Sequence, residues 1–213
     1  MTKAALSGRI ASGLVACTML ITAPAALAQS TPERGVFVTQ VGDSPRANIT
    51  QRNADSLALV AQDGANNQTD LEQNGPAPHS AQIAQEGDDN RVIALQDGEG
   101  STDLALAQEG NGNVALVAQR ENSALAQTTA TIVQRGNGNS IILAQNGTDN
   151  QAELTQEGDN NVMTASQTDS GNRLEWNQIG DGLADLQIVQ TGGAAIQITQ
   201  SNAGAAFAPP PGG

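Results

Sequence analysis

The sequence predicts an all-β fold: a β-solenoid of about seven 22-residue strand–turn–strand repeats, forming two stacked parallel sheets in a cross-β, amyloid-like arrangement. Three observations carry this reading. Glutamine recurs with a period near eleven, apolar residues alternate in step with it, and glycine marks the turns. Periods of this kind are the signature of arrays whose units cannot bury a core alone.

The periodic glutamines are Gln40, Gln51, Gln62, Gln73, Gln85, Gln96, Gln108, Gln119, Gln134, Gln145, Gln156, Gln167, Gln178, Gln190 and Gln200. Nine of the fourteen intervals are eleven residues and three are twelve, so the spacing is a structural unit rather than a composition effect. Glycine follows two residues later in most turns: Gly42, Gly64, Gly75, Gly87, Gly98, Gly110, Gly136, Gly147, Gly158, Gly180 and Gly192. The exceptions, Asn53, Glu121 and Asp169, all fall in alternate turns. The unit is therefore about 22 residues, with one tight turn and one looser turn.

Counting back two and four residues from each glutamine gives Val38 and Val36, Ile83 and Ala81, Leu143 and Ile141, Ile188 and Leu186, Ile198 and Ile196. The intervening positions carry Thr39, Thr50, Glu72, Glu153 or Thr199. A period of two means strands with one buried face. Glycine in every unit would break a helix each time.

Seven units follow, at 34–55, 56–78, 79–101, 102–127, 128–149, 150–171 and 172–194, with a half-unit closing at Gln200. The fifteen-residue interval from Gln119 to Gln134 predicts a bulged-out loop that includes Glu121 and Asn122. Trp176 lies on the inward parity and is expected to fill space near the C-terminal end, or else to mark a contact surface. The tail from 201 to 213 contains Pro209, Pro210 and Pro211, cannot continue a strand, and is expected to be disordered.

Burying two medium apolar side chains per strand yields at most about 1.5–3 kcal/mol each. Ordering the backbone costs about 1–2 kcal/mol per residue. One unit is therefore unstable, and stability has to come from stacking at about 4.8 Å, with backbone amides pairing rung to rung. The glutamines share the inward parity, so each can donate its amide to the next glutamine carbonyl, as in the ladders of cross-β stacks. Asn67, Asn90, Asn113, Asn139, Asn150, Asn161 and Asn172, five residues after a glutamine, are expected to ladder likewise. Gly42, Gly64, Gly87, Gly110, Gly136, Gly158 and Gly180 are expected to supply positive φ in the arcs. The competing reading makes the glutamines merely polar turn residues, which leaves their shared parity with Val and Ile unexplained.

Lys3 and Arg9, the apolar stretch 10–21 and Ala26-Leu27-Ala28 form a secretory signal peptide over 1–28, too short for a membrane span. Residues 29–33 are a short segment before the array. Leu14-Val15-Ala16-Cys17 also resembles a bacterial lipobox, which leaves lipidation of Cys17 open as a second reading. Removal of Lys3 and Arg9 with the signal takes the formal charge from −13 to −15 and leaves no lysine. That charge argues against nucleic acid as a partner. His79 is the single histidine, so neither a catalytic triad nor a His-rich metal site can be assembled. Between Pro78 and an irregular turn it is expected to be solvated. The acidic turns lack the nine-residue Gly-Asp period of calcium-binding solenoids, and no catalytic, cofactor or metal residues are predicted.

The pattern Gln-x-Gly-x-x-Asn-x₅-Gln, seen from Gln85 through Asn90 to Gln96, from Gln108 through Asn113 to Gln119, and from Gln134 through Asn139 to Gln145, resembles the curlin repeat. The resemblance covers about residues 34–200. It departs from the family in lacking Tyr, in starting few repeats with Ser, and in having more than the usual five repeats. It implies a structural subunit of curli, an extracellular bacterial amyloid fibre of biofilm matrix and adhesion. It further implies, as partners, other copies of this chain, a second curlin-type subunit, an outer-membrane secretion pore and periplasmic chaperones. The alternative is a monomeric secreted β-solenoid adhesin or binding module. No enzyme function is predicted.

Overall fold

The computed structural model describes residues 34–202. Every regular element among them is a strand. In chain order these are β1 (Gly35–Val41), β2 (Arg46–Gln51), β3 (Leu57–Asp63), β4 (Gln68–Gln73), β5 (His79–Glu86), β6 (Arg91–Gly98), β7 (Ser101–Glu109) and β8 (Val114–Glu121). They continue as β9 (Gln127–Arg135), β10 (Ser140–Thr148), β11 (Gln151–Glu157), β12 (Val162–Ser170), β13 (Arg173–Ile179), β14 (Ile188–Thr191) and β15 (Ala195–Ser201).

Odd strands form one parallel eight-stranded sheet in the order β1-β3-β5-β7-β9-β11-β13-β15. Even strands form a second, seven-stranded sheet ordered β2 to β14. Each 22-residue unit is thus one arch with one strand in each sheet, and successive arches stack as a β-solenoid. Register is locked on glutamine: Gln40 pairs with Gln62, Gln85 with Gln108, and Gln134 with Gln156. A one-residue slip would turn every inward side chain outward.

The core lies between the sheets. It is one continuous column of small and medium aliphatic residues, including Ala81, Leu104, Leu106, Ile132, Ile141, Leu143, Leu154 and Met163. Alanine is frequent in it because the arches are flat and the sheets close. Trp176 is fully buried and fills the stack near its C-terminal end, where β14 is only four residues long. At the terminal rungs the same inward positions lose their cover: Val36 and Val38 of β1 are 47% and 43% exposed.

Four details depart from the sequence-based expectations. His79 is buried, not solvated: the extra residue before it shifts its ring into the inward column of the loose turns, between Ser56 and Thr102. Glu121 does not bulge out but ends β8 with a buried carboxylate, and the residues that loop out are 123–126, with Leu125 fully exposed. Leu186 is half-exposed and precedes β14 rather than lining the core. Finally, β15 runs one residue past Gln200, through Ser201.

Ile132 sits at the centre of the column with no exposed surface. Ile132→Ala is expected to lower the unfolding free energy of the soluble chain by about 2–5 kcal/mol, read as a drop in the denaturation midpoint in urea. Removing the outward Thr131 hydroxyl and methyl by Thr131→Ala should change it by no more than about 0.5 kcal/mol.

Candidate assembly interface and its amide ladders

The fifteen periodic glutamines lie in two unbroken ladders, one per sheet. In the odd sheet Nε2 donates to the next Oε1 at 2.6 Å from Gln40 to Gln62, 2.7 Å to Gln85, 2.9 Å to Gln108 and 2.8 Å to Gln134. The run continues at 3.0 Å to Gln156, 2.9 Å to Gln178 and 2.9 Å to Gln200. In the even sheet Gln51, Gln73, Gln96, Gln119, Gln145, Gln167 and Gln190 are joined in the same sense at 2.6–3.1 Å. The second amide proton crosses the core. Gln134 donates it to the Val114 carbonyl and Gln145 to the Thr129 carbonyl, at the start of a strand in the opposite sheet. Each interior glutamine therefore ties its rung to both neighbours and its sheet to the other one. Twelve of the fifteen, from Gln62 to Gln190 together with Gln178, are buried.

The asparagines are buried too, but their bonding differs from the expected amide-to-amide ladder. Asn90 Nδ2 donates to the Gly110 carbonyl at 2.7 Å, and its Oδ1 accepts the backbone N–H of Asn113 at 3.0 Å. Asn67, Asn113, Asn139 and Asn161 repeat this pattern on the tight-turn side. The reason is reach: one methylene shorter than glutamine and placed where the chain turns, the amide meets backbone before it meets the next side chain. In the looser turns Asn150 and Asn172 share this position, and among these seven asparagines only there does one side chain bond another, Asn172 Nδ2 donating back to Asn150 Oδ1 at 2.9 Å.

Gly42, Gly64, Gly87, Gly110, Gly136, Gly158 and Gly180 have φ between 103° and 125°, a region closed to side chains. A Cβ at Gly87 or Gly110 would also run into the carbonyl oxygen of the glycine one rung on. Two columns had escaped the sequence reading. Four residues after each odd-sheet glutamine, a left-handed position holds Ser44, Asn66, Asp89, Gly112, Gly138, Asn160 and Gly182, with φ of 56–66°. Three residues after it, side-chain oxygens of Asp88, Asn111, Asn137, Asp159 and Asp181 each accept the turn N–H of the preceding rung at 2.7–3.0 Å. The signal was present in the sequence as a column of Asn, Asp and Gly, the residue types that tolerate left-handed backbone and cap turns.

Most polar groups buried in the loose turns are bonded as well, Asn74 Oδ1 excepted. Glu121 accepts from Ser123 N at 2.9 Å, Thr128 Oγ1 at 3.0 Å and Asp149 N at 2.9 Å, and so pins the base of the inserted loop. His79 Nε2 donates to the Asn74 carbonyl while Nδ1 faces Thr102 Oγ1 at 3.1 Å. This fixes the neutral Nε2–H tautomer, with the threonine hydroxyl donating to Nδ1. Burial pushes the imidazole pKa below its ordinary 6.5, against the opposing pulls of the Asn74 carbonyl and the Asp97 carboxylate. On the outer face Arg135 bridges Glu109 at 3.2 Å and Glu157 at 3.0 Å, a lone cation in a column that also stacks Asp63 on Glu86 on Glu109. Among the described residues no cluster of three or more His, Cys, Asp or Glu could hold a metal ion, and no helix is long and apolar enough to cross a membrane.

Among the described residues β1 pairs only with β3 and β2 only with β4, while β14 pairs only with β12 and β15 only with β13. Stacked parallel arches held by buried amide ladders, with unpaired strands at each end, define a β-solenoid of the cross-β class. The family model of the curlin associated repeat matches residues 128–158, the fifth unit and the start of the sixth, so the chain carries a curlin repeat. Repeat and fold together fit a curli-like structural protein. No curated protein and no solved structure matches the chain.

Two outcomes are expected. Gln134→Leu strands the Gln108 amide and the Gln156 carbonyl inside the stack, and should cost about 1–3 kcal/mol for each buried group left unpaired, seen in equilibrium unfolding. For His79, the unfolded chain takes up a proton as pH falls below 6.5 while the buried ring resists it, so its contribution to stability is whole above 6.5 and declines below. The stability difference between the native chain and His79→Gln should accordingly shift against the native chain between pH 7.5 and pH 5, measured by denaturant titration at each pH.

Proposed function

We propose that the chain is the structural subunit of an extracellular, curli-like functional amyloid fibre, built by end-to-end addition of copies through their free strand edges, and serving biofilm matrix and adhesion. The observation that carries this reading is the pair of open ends on an otherwise closed ladder. An exposed edge strand is a template for pairing with another chain. Here the strands at each end present in-register backbone groups, glutamine amides and half-covered aliphatic residues that an identical rung would complete. The 15 glutamines and their asparagine and glycine companions are, on this reading, the elements that hold register within and between molecules.

Export follows from the same reading. Residues 1–28, outside the described residues, serve as a cleaved secretory signal. The partners are further copies, a second curlin-type subunit, an outer-membrane pore and periplasmic chaperones. The acidic surface, Asp63, Glu86 and Glu109 stacked in one outward column, opposes premature pairing through like-charge repulsion and keeps the exported chain soluble.

Incubation of the secreted chain should give fibres that enhance thioflavin fluorescence after a lag. Their diffraction should show reflections at about 4.8 Å and about 10 Å. A chain that stays monodisperse and monomeric at high concentration would reject the fibre and favour the free-standing adhesin.

A further inference from the structure

The two ends of the solenoid are not mirror complements of each other. At the N-terminal end both sheets begin on the same rung, with β1 and β2 in one arch. Among the described residues the odd sheet stands one strand taller at the C-terminal end, because β15 has no partner arch strand after it there. The amide ladders end differently as well. In the odd sheet Gln200 Nε2 makes its cross-core bond to the Ala184 carbonyl at 3.0 Å, the equivalent of the bond from Gln178 to Val162, and its rung-to-rung proton has no acceptor among the described residues. In the even sheet Gln190 Nε2 makes its cross-core bond to Arg173 and turns the other proton back onto the Ala194 carbonyl at 3.0 Å. One ladder is open, the other closed on itself.

At the opposite end Gln40 Oε1 accepts nothing among the described residues, and every ladder bond runs in the same sense, from Nε2 toward the C-terminal rung. We propose that successive copies join through the odd sheet alone: β15 of one copy pairs in parallel with β1 of the next, with Gln200 opposite Gln40. This rests on the fibre reading above and specifies its joint. In that register Ile196 and Ile198 cover Val36 and Val38, and Thr199 faces Thr39 on the outer surface. All four aliphatic residues are incompletely covered within a single copy. The even sheet then carries a slot one strand wide between β14 and the next copy's β2. Pro209, Pro210 and Pro211 fall in sequence where a strand filling that slot would run, and they lack the N–H groups that a ladder needs.

Cysteine cross-linking tests the joint. The full chain carrying Cys17→Ser leaves engineered pairs as the only thiols. Thr39→Cys with Thr199→Cys places the two sulfur-bearing residues on adjacent rungs of different copies, about 4.8 Å apart and inside the range of about 4.4–6.8 Å that a disulfide spans. Mild oxidation of assembled fibres should give a ladder of covalent multimers on non-reducing gels. Thr50→Cys with Val189→Cys probes the even sheet. These outward residues would be neighbours only across a flush joint, and across the slot they lie about 10 Å apart, so monomer should persist. The single Thr39→Cys variant should also stay monomeric, since it links only copies joined head to head. Fibres in which the Thr50/Val189 pair cross-links, or in which the Thr39/Thr199 pair does not, overturn the staggered joint while leaving the fibre itself intact. Failure of the unmodified chain to form fibres would instead remove the reading on which the joint depends.

Discussion

The structure depends on the three-way bonding of the buried glutamine carboxamide. A primary amide in an apolar interior is costly unless each of its groups finds a partner. In this fold the requirement is met only when the rungs before and after are present and in step. Gln134 accepts from Gln108, donates to Gln156, and reaches across to the Val114 carbonyl. The same side chain that would destabilise a lone arch becomes favourable in a stack. Polar burial thus supplies what the small aliphatic core cannot: intolerance of a two-residue shift, which would keep the inward parity but break every ladder. Alanine-rich packing alone would let the sheets slide.

From that constraint the rest follows. Parallel strands in register bring identical turns into vertical alignment, so carbonyls of one glycine face the next and exclude a Cβ. The tight arcs then need two special backbone positions, one held by glycine and one by Gly, Asn, Asp or Ser. The oxygen column from Asp88 to Asp181 and the buried asparagines satisfy the turn amides that no strand pairing reaches. Arg135 and the ion pairs on the outer face are exposed and contribute little by comparison.

Much of this was legible in the sequence because a period of two, read in phase with glutamine, fixes both strand and face. Sheet number, parity and the positive φ of the glycine column need nothing more. What escaped were places where the count of residues between strands changes. One extra residue carried His79 from solvent into the column of Ser56 and Thr102, and a four-residue loop drew Glu121 inward as its anchor rather than outward with it. In both cases the polar side chain went where bonding partners waited, a choice that local propensity does not encode. The asparagines illustrate a subtler limit: their burial follows from parity, but whether a shorter amide meets backbone or side chain depends on the curvature of the turn. Leu186 shows the opposite failure, an apolar residue in phase with the pattern that lies before its strand begins.

The two sides of the arch differ in how strictly they count. From Gln40 through Gln167, each tight side takes eleven residues from one sheet to the other, whereas the looser side varies from ten to fifteen over the whole array. Excursions such as 123–126 leave the flanking strands in step, since no bond that carries register runs through them. A scaffold of this kind has one regular spine and one permissive flank. Foreign peptides spliced beside Leu125 would decorate the rod's side at a fixed height, without entering the stack that makes it a rod.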